Sequence, residues 1–356
     1  MKRGTFGVLI VLLLSGACAF ADTQTLIDFA ALKGDVKVGG AMQNSATMVD
    51  FSGQAGASYT QEEKKEMRTS LVVDEWDVEL ASSSRTVGNM RYSMTQSVAS
   101  KTYGTVLGAR IKFPEGSYNS YAIIKPPFEI PAYDRPSKYA NGDVVFLTDQ
   151  EIADENKKAN VAKADPAYMD KNSKFNRKGV IKNVATVKSI KIRAYGSNYP
   201  HGFGIRLKDQ SGNINDIFMG YLNFDGWKEI EWKNPNYIDE VRNRELRLFP
   251  LYPSADPYIK FLGLILYRDG AALGGDFVAY FKDIEVTYDK ALLSLDRDID
   301  DEQAWGILEK REDARRAAEG RRLGNIQVLR FLEEKKRHID KENTGAAAPA
   351  AAPARR

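Results

Sequence analysis

The chain holds two histidines, His201 and His338, so any Ser-His-Asp relay must use one of them. His338 lies in a run of charged residues, which leaves His201 in the turn-like context Tyr199-Pro-His-Gly202. No nucleophile motif accompanies it, and a lone histidine in such a context reads as structural. Two histidines and the single cysteine, Cys18, do not make a zinc set. The 48 Asp and Glu residues include many conceivable pairs for glycoside hydrolysis, and no spacing singles one out. Asp276 and Asp283 flank the last hairpin and are candidate oxygen ligands for calcium. Loop caps and solvated carboxylates are the commoner use of such residues. Tyr221, Trp227 and Trp232 carry rigid amphipathic rings of the kind that stack on sugars. Trp232 alternates with Ile230 and belongs inside, whereas Trp227 follows the Asp225-Gly226 turn and belongs at the surface. An extracytoplasmic carbohydrate-binding β-sandwich is therefore the alternative function, and no catalytic, cofactor or metal residue is assigned.

These residues need elements to hold them. Residues 195–238 concentrate the signals. Phe203, Ile205 and Leu207 alternate with Gly204, Arg206 and Lys208, the period of a half-buried strand. Asp209-Gln-Ser-Gly212 is a turn, residues 217–222 form an apolar run, and a third strand alternates through Ile230 and Trp232. The expectation is one antiparallel meander. Elsewhere, Thr60-Gln-Glu-Glu63 is a capping box for a short helix to about Thr69. Strands are expected over 72–80, 106–113, 189–195, 245–249, 259–267, 277–281 and 284–288. Residues 122–131 contain three prolines, which forbid a central strand and place them at a sheet edge or in an extended connection. Leu26-Ile-Asp-Phe29 and Ile284-Glu-Val-Thr287 can pair and tie the ends together. About ten short strands with turns between them predict an all-β fold. The expected form is an antiparallel β-sandwich of jelly-roll or galactose-binding-like wiring, followed by a long C-terminal α-helix.

The ends differ in character. Lys2 and Arg3, the apolar run 6–14 and Ala19-Phe20-Ala21 read as a cleaved signal peptide over 1–21. Cys18 lies inside it, without the large aliphatic residue a lipid-attachment cysteine has three positions before it. The sandwich is expected over 22–295, with a polar surface excursion at 134–179 that holds one short helix near 151–159. Residues 296–342 are rich in Glu, Lys, Arg and Ala, and a helix from Asp300 to about Lys341 would measure roughly 60 Å. Its stripe of Ile326, Leu329, Phe331 and Leu332 is strong enough to dock, and Gly306, Gly320 and Gly324 weaken it. Residues 343–356 form an Ala/Pro tail. The formal charge of +3 includes Lys2 and Arg3, and 3 − 2 leaves +1 for the exported chain. That balance argues against a nucleic-acid partner, and no run is long enough to span a membrane.

An ordered set of segments resembles the FlaA family, the outer-layer (sheath) proteins of spirochaete periplasmic flagellar filaments. The segments are Leu26-Ile-Asp-Phe29, Ile123-Ile-Lys-Pro-Pro-Phe-Glu-Ile-Pro-Ala-Tyr133, Tyr195-Gly-Ser-Asn-Tyr-Pro-His-Gly202, Phe218-Met-Gly-Tyr-Leu222, Gly226-Trp-Lys228 and Trp232-Lys-Asn-Pro235. Tyr252-Pro253, Gly274-Gly-Asp276, Tyr280-Phe-Lys-Asp283 and Trp305-Gly306 complete it, over roughly residues 22–333. The resemblance implies a non-enzymatic periplasmic component with no cofactor. It implies a coat on a core of flagellins that influences filament shape, stiffness and motility. Its partners would be those core flagellins and copies of itself or a paralogue. A coat needs contacts, and His201, Tyr221, Trp227, Trp305, Ile326, Leu329 and Leu332 are the candidate protein–protein contact residues.

Overall fold

Alternating apolar residues give a strand one face to bury, and two such sheets bury their faces against each other. The computed structural model describes residues 21–133, 137–140, 143–146, 174–238, 253, 257–291, 299 and 301–345, with side chains of the last helix through Lys336. The strands of its two main sheets are β1 (Asp22–Asp28), β2 (Asp77–Leu80), β3 (Met94–Ser100), β4 (Gly104–Phe113), β5 (Ser120–Lys125) and β6 (Val180–Lys182). They continue as β7 (Val184–Ser197), β8 (Gly202–Asp209), β9 (Ile214–Tyr221), β10 (Asp225–Lys233), β11 (Tyr258–Arg268) and β12 (Gly275–Lys290). The first sheet has six strands in the order β10-β7-β12-β4-β3, with β1 also on β12. The second has six in the order β9-β8-β11-β5-β2, with β6 also on β11. The pairings are antiparallel, and the two sheets make a sandwich-like body.

The inner faces follow the expected period. Ile190, Ile192 and Ala194 from β7 and Phe277, Ala279 and Phe281 from β12 meet Phe203 and Ile205 from β8 and Leu264 and Leu266 from β11 in one buried cluster. Trp76 sits in it, 5.4 Å edge-on from Phe29 and 5.8 Å from Phe261, and its indole N–H donates to the Leu71 carbonyl at 3.0 Å. Its one polar atom is satisfied, so the ring is buried without penalty. The expected pairing of the ends is present: Thr25 faces Glu285 and Ile27 faces Ile284. The capping box is present too, at the start of α1 (Gln61–Glu66).

Several expectations are corrected. The three strands of residues 203–232 are not one meander. β8 and β9 pair, but β10 crosses to the first sheet and pairs with β7, with Ile192 opposite Ile230 and Tyr195 opposite Trp227. Alternation specifies a strand and its buried face, not the sheet it joins. The strand before the prolines is interior, because β5 pairs with both β11 and β2. Its pairing ends at Lys125, so Pro126 and Pro127 fall where no ladder N–H is needed. Residues 277–281 and 284–288 belong to one strand, β12, which bulges between Phe281 and Asp283 against β7. Strand β3 and helix α2 (Val87–Tyr92) were not expected. Residues 73–75 form a 3-10 turn ahead of β2. Phe175, assigned to the surface excursion by its polar neighbours, is fully buried against Phe128 at 5.9 Å. Residues 137–140 and 143–146 of that segment pair as a hairpin. The signal segment with Cys18, the helix near 151–159, the strand at 245–249 and the tail after 345 lie outside the described residues.

The terminal segment breaks at Gly306, which adopts φ +57 after α3 (Asp301–Trp305), and continues as α4 (Ile307–Gly345). The left-handed glycine closes one short helix and lets the next start at a new angle.

Candidate functional site

The outer faces of the two sheets are treated very differently by the sequence. On the first sheet, charge alternates across strands. Arg193 on β7 reaches Asp283 and Glu285 on β12 at 2.6 Å each and Glu229 on β10 at 3.7 Å. Lys191 reaches Glu229 at 2.9 Å. Burial pushes the Asp283 carboxyl up, and the cations Arg193 and Lys282 beside it counter that only in part. Beside the ladder, Trp227 stands edge-on to Tyr103 (4.9 Å) and Tyr195 (5.5 Å), and Tyr195 edge-on to Tyr280 (5.7 Å). Trp227 is half-buried in this row. Each edge-to-face pair contributes about 1 kcal/mol beyond area burial, so the row closes on itself.

On the second sheet, α4 covers one part of the outer face. Leu323 is 6% exposed and joins the sandwich core. Gln327 donates to the Pro127 carbonyl at 3.1 Å, and Arg330 holds Asp77 with two bonds at 2.9 and 3.1 Å. Phe331 meets Tyr59 at 6.4 Å. The docking stripe is therefore Leu323, Gln327, Arg330 and Phe331, at i, i+4, i+7 and i+8. Ile326 and Leu329 lie off it and are exposed, and Leu332 is half-buried, which corrects the expected docking stripe. Gly324 does more than weaken the helix: a Cβ there would come within 2.2 Å of Gln54. Further along, Lys260 on β11, 3% exposed, pairs with Glu319 at 2.6 Å and Glu129 at 3.4 Å. Glu319 also accepts from the N–H groups of Ala132 and Tyr133. Burial disfavours the charge of Glu129, but Lys208, Lys260 and Arg322 around it hold its carboxyl below the usual range.

The rest of that face is bare. Phe218 and Tyr221 from β9 are 48% and 57% exposed and stand 5.3 Å apart. Phe218 is 6.1 Å from Tyr267 on β11, which faces Tyr121 on β5. The Phe218 ring lies over Gly202, where a Cβ would approach it to 2.8 Å. Between this patch and α4 runs an open groove of about 600 Å³, floored by Ile123 and Leu262 and walled by Ile214 and Ile326. Phe218, Tyr121 and Ile214 were not singled out beforehand. Their signal was the alternation of β9, in which Ile214, Asp216 and Phe218 share the face opposite Ile217 and Met219.

The remaining candidate residues fall as follows. His201 is 3% exposed, packed against Phe113, Tyr199 and Phe277 at 5.2, 5.8 and 4.6 Å, and is not a contact residue. Both ring nitrogens lack a hydrogen-bond partner among the described residues, so no relay forms around it there. Burial, with the Arg268 guanidinium nearby, pushes its pKa down to about 4. Its turn context hid this, because the cage comes from β4 and β12. Tyr221, Trp227 and Trp232 do not form one platform. Tyr221 lies on the second sheet and Trp227 on the first, and Trp232 packs half-buried against the core. Asp276 pairs with Arg110 and Asp283 with Arg193, and no cluster of three or more metal-binding side chains occurs among the described residues. Trp305 is 67% exposed.

Comparison with known proteins adds the context this geometry needs. The family described as flagellar filament outer layer protein FlaA matches residues 40–297. A flagellar filament outer layer protein of Spirochaeta aurantia is 44% identical, covering all of this chain and 98% of the relative. One of Treponema pallidum (strain Nichols) is 43% identical, covering 92% of each. The solved structure of TmCBM61 in complex with β-1,4-galactotriose covers 60% of this chain and 88% of its own, at 8% identity and a TM-score of 0.26. A likeness at that level carries no argument about what this chain binds.

Proposed function

The chain belongs to the flagellar filament outer layer protein family, and from that premise we propose that it is a structural component of the outer layer of the periplasmic flagellum. In this reading it coats the flagellin core, contributes to filament shape and stiffness, and contacts the core flagellins and copies of itself or a paralogue. It reaches the periplasm by the signal segment 1–21 and acts without enzymatic turnover. The family match over most of the chain carries the reading. The geometry supports it: both outer faces are rigid sheet surfaces, and one leaves aromatic and aliphatic side chains to solvent beside a docked helix.

The contacts are assigned to residues that stand outward: Tyr221, Trp305, Ile326 and Leu329, with Trp227 and Leu332 at the margins of their patches. Isolated filaments from cells with and without the protein test the role. Electron microscopy should show thinner, differently curved filaments in its absence. Identical filaments in both strains would refute it. For the helix, a chain cut before residue 300 should fold, with lower stability because Leu323 and Glu319 are gone, and should fail to decorate filaments. Decoration by that truncated chain at the wild-type level would remove α4 from the contact.

A further inference from the structure

The borders of the two main sheets are guarded unequally. A border strand carries a row of backbone N–H and C=O groups without ladder partners, and proteins block such rows by short length, charge or cover. On the first sheet, β10 carries Asp225, Lys228, Glu229, Glu231 and Lys233 among its nine residues. β3 is covered where the Ser97 N–H donates to the Asp74 carboxylate. β1 is crossed by the chain at Gly179, whose N–H donates to the Leu26 carbonyl at 2.7 Å. On the second sheet, β6 has three residues and β2 four, and Asp77 of β2 is held by Arg330 of α4.

β9 has none of these guards. It borders the second sheet with eight residues, holds no lysine or proline, and pairs only with β8 among the described residues. Its one charge, Asp216, is taken up by two bonds from Arg206 on β8, at 2.7 Å each. Ile214, Phe218 and Tyr221 stand exposed along it. The extra residue, Met219, lies near one end and leaves 214–218 in regular register with β8.

Resting on the outer-layer reading, in which copies meet one another, we infer that β9 of one copy pairs antiparallel with β9 of a second, so that two six-stranded sheets join into one. The choice of partner follows from the same comparison. The other border strands of the two sheets are short, covered or charged, so the edge of a second copy that can accept β9 is β9 itself. Such a contact is two-fold and closes at two copies. It joins two Phe218–Tyr221 clusters and opposes no unpaired charge, since each Asp216 keeps its Arg206. The strip is about 27 Å long and 10 Å wide. That is well short of the roughly 800 Å² per partner of a stable complex. Pairing is therefore weak between free copies and becomes effective where a core holds copies side by side.

Purified chain lacking residues 1–21 tests this by sedimentation and amide hydrogen exchange over a range of concentrations. The unsubstituted chain should pass from monomer to dimer and no further, and exchange within 214–221 should slow as the dimer forms. Asn215 is exposed on β9. Asn215→Lys and Asn215→Glu should each weaken the dimer by roughly tenfold, because the two-fold brings like charges together, while melting as the unsubstituted chain does. Mixed, the two variants should pair with each other more tightly than either pairs with itself. A chain that stays monomeric at every concentration, a dimer whose 214–221 amides exchange as in the monomer, or variants that dimerise as before would each overturn the inference. Protection of 214–221 that appears only on filament cores would give the edge to a core flagellin and overturn it as well. Binding to stripped cores separates the two claims. No binding of the unsubstituted chain counts against the outer-layer reading, whereas binding that is equally cooperative with Asn215→Lys counts against the paired edge alone.

Discussion

The two outer faces of the sandwich use the same kinds of residue to different ends. On the first sheet Arg193 sits among three carboxylates, and Trp227, Tyr195 and Tyr280 stack edge to face in a row. The groups on that face satisfy each other across β10, β7 and β12. On the second sheet the same ingredients are split. The ion pairs of Lys260 and Arg330 hold a helix from outside the sheets, and the aromatic cluster of Phe218, Tyr221 and Tyr121 is left in solvent. Cross-strand partners turn charge and aromatic area into stability. Without such partners the same area is available for association. In the proposed reading the first face is mainly structural, with Trp227 at its margin, and the second carries more of the contacts.

Substitutions on each face should break differently. The largest effect is expected from Arg193→Ala on the first face. It leaves Asp283, whose side chain is 8% exposed, without its guanidinium, and unfolding titrations should show a loss of about 3 kcal/mol. Next, Glu319→Ala on the helix removes one of two carboxylates from buried Lys260 and the acceptor for two backbone N–H groups. The loss should be about 2 kcal/mol, with faster amide exchange at Ala132 and Tyr133. Tyr195→Ala takes out the middle of the aromatic row and should cost about 1–2 kcal/mol. Tyr221→Ala, at 57% exposure on the second face, should change the melting midpoint by no more than about 0.5 kcal/mol equivalent while reducing filament binding. A Tyr221→Ala chain that melts like Tyr195→Ala and binds normally would erase the distinction between the faces.

Acid tests the interior that both faces cover. His201 has a folded-state pKa of about 4, below its unfolded value, so the folded form refuses a proton the unfolded chain accepts. The stability this residue permits is complete above about pH 6.5 and falls as the pH drops toward 4. The loss should be on the order of 3 kcal/mol, and His201→Phe should flatten stability against pH in that window. An unchanged slope would mean that another group sets the acid sensitivity.

The sandwich was legible because its signal is local. Alternation through Phe203, Ile205 and Leu207 and through Ile190 and Ile192 marks the strands and their buried faces, whereas the pairing of β1 with β12 was open to the sequence and is established by the structure. What was hidden depended on neighbours distant in sequence. The period of β10 could not say that it crosses to β7. His201 looked like a turn residue because its aromatic cage comes from Phe113 and Phe277. The helix docks through Gln327 and Arg330, which read as solvated residues until the Pro127 carbonyl and Asp77 are seen beside them. Apolar spacing alone therefore singles out Ile326 and Leu329, which the docked helix leaves exposed.

The most direct test of the account is to add the purified chain to filament cores stripped of their outer layer and measure filament diameter by electron microscopy. The account predicts a uniform thickening with the full chain, retained by Tyr195→Ala protein that is still folded and diminished by Tyr221→Ala. Cores whose diameter does not change on addition of the full chain would contradict it.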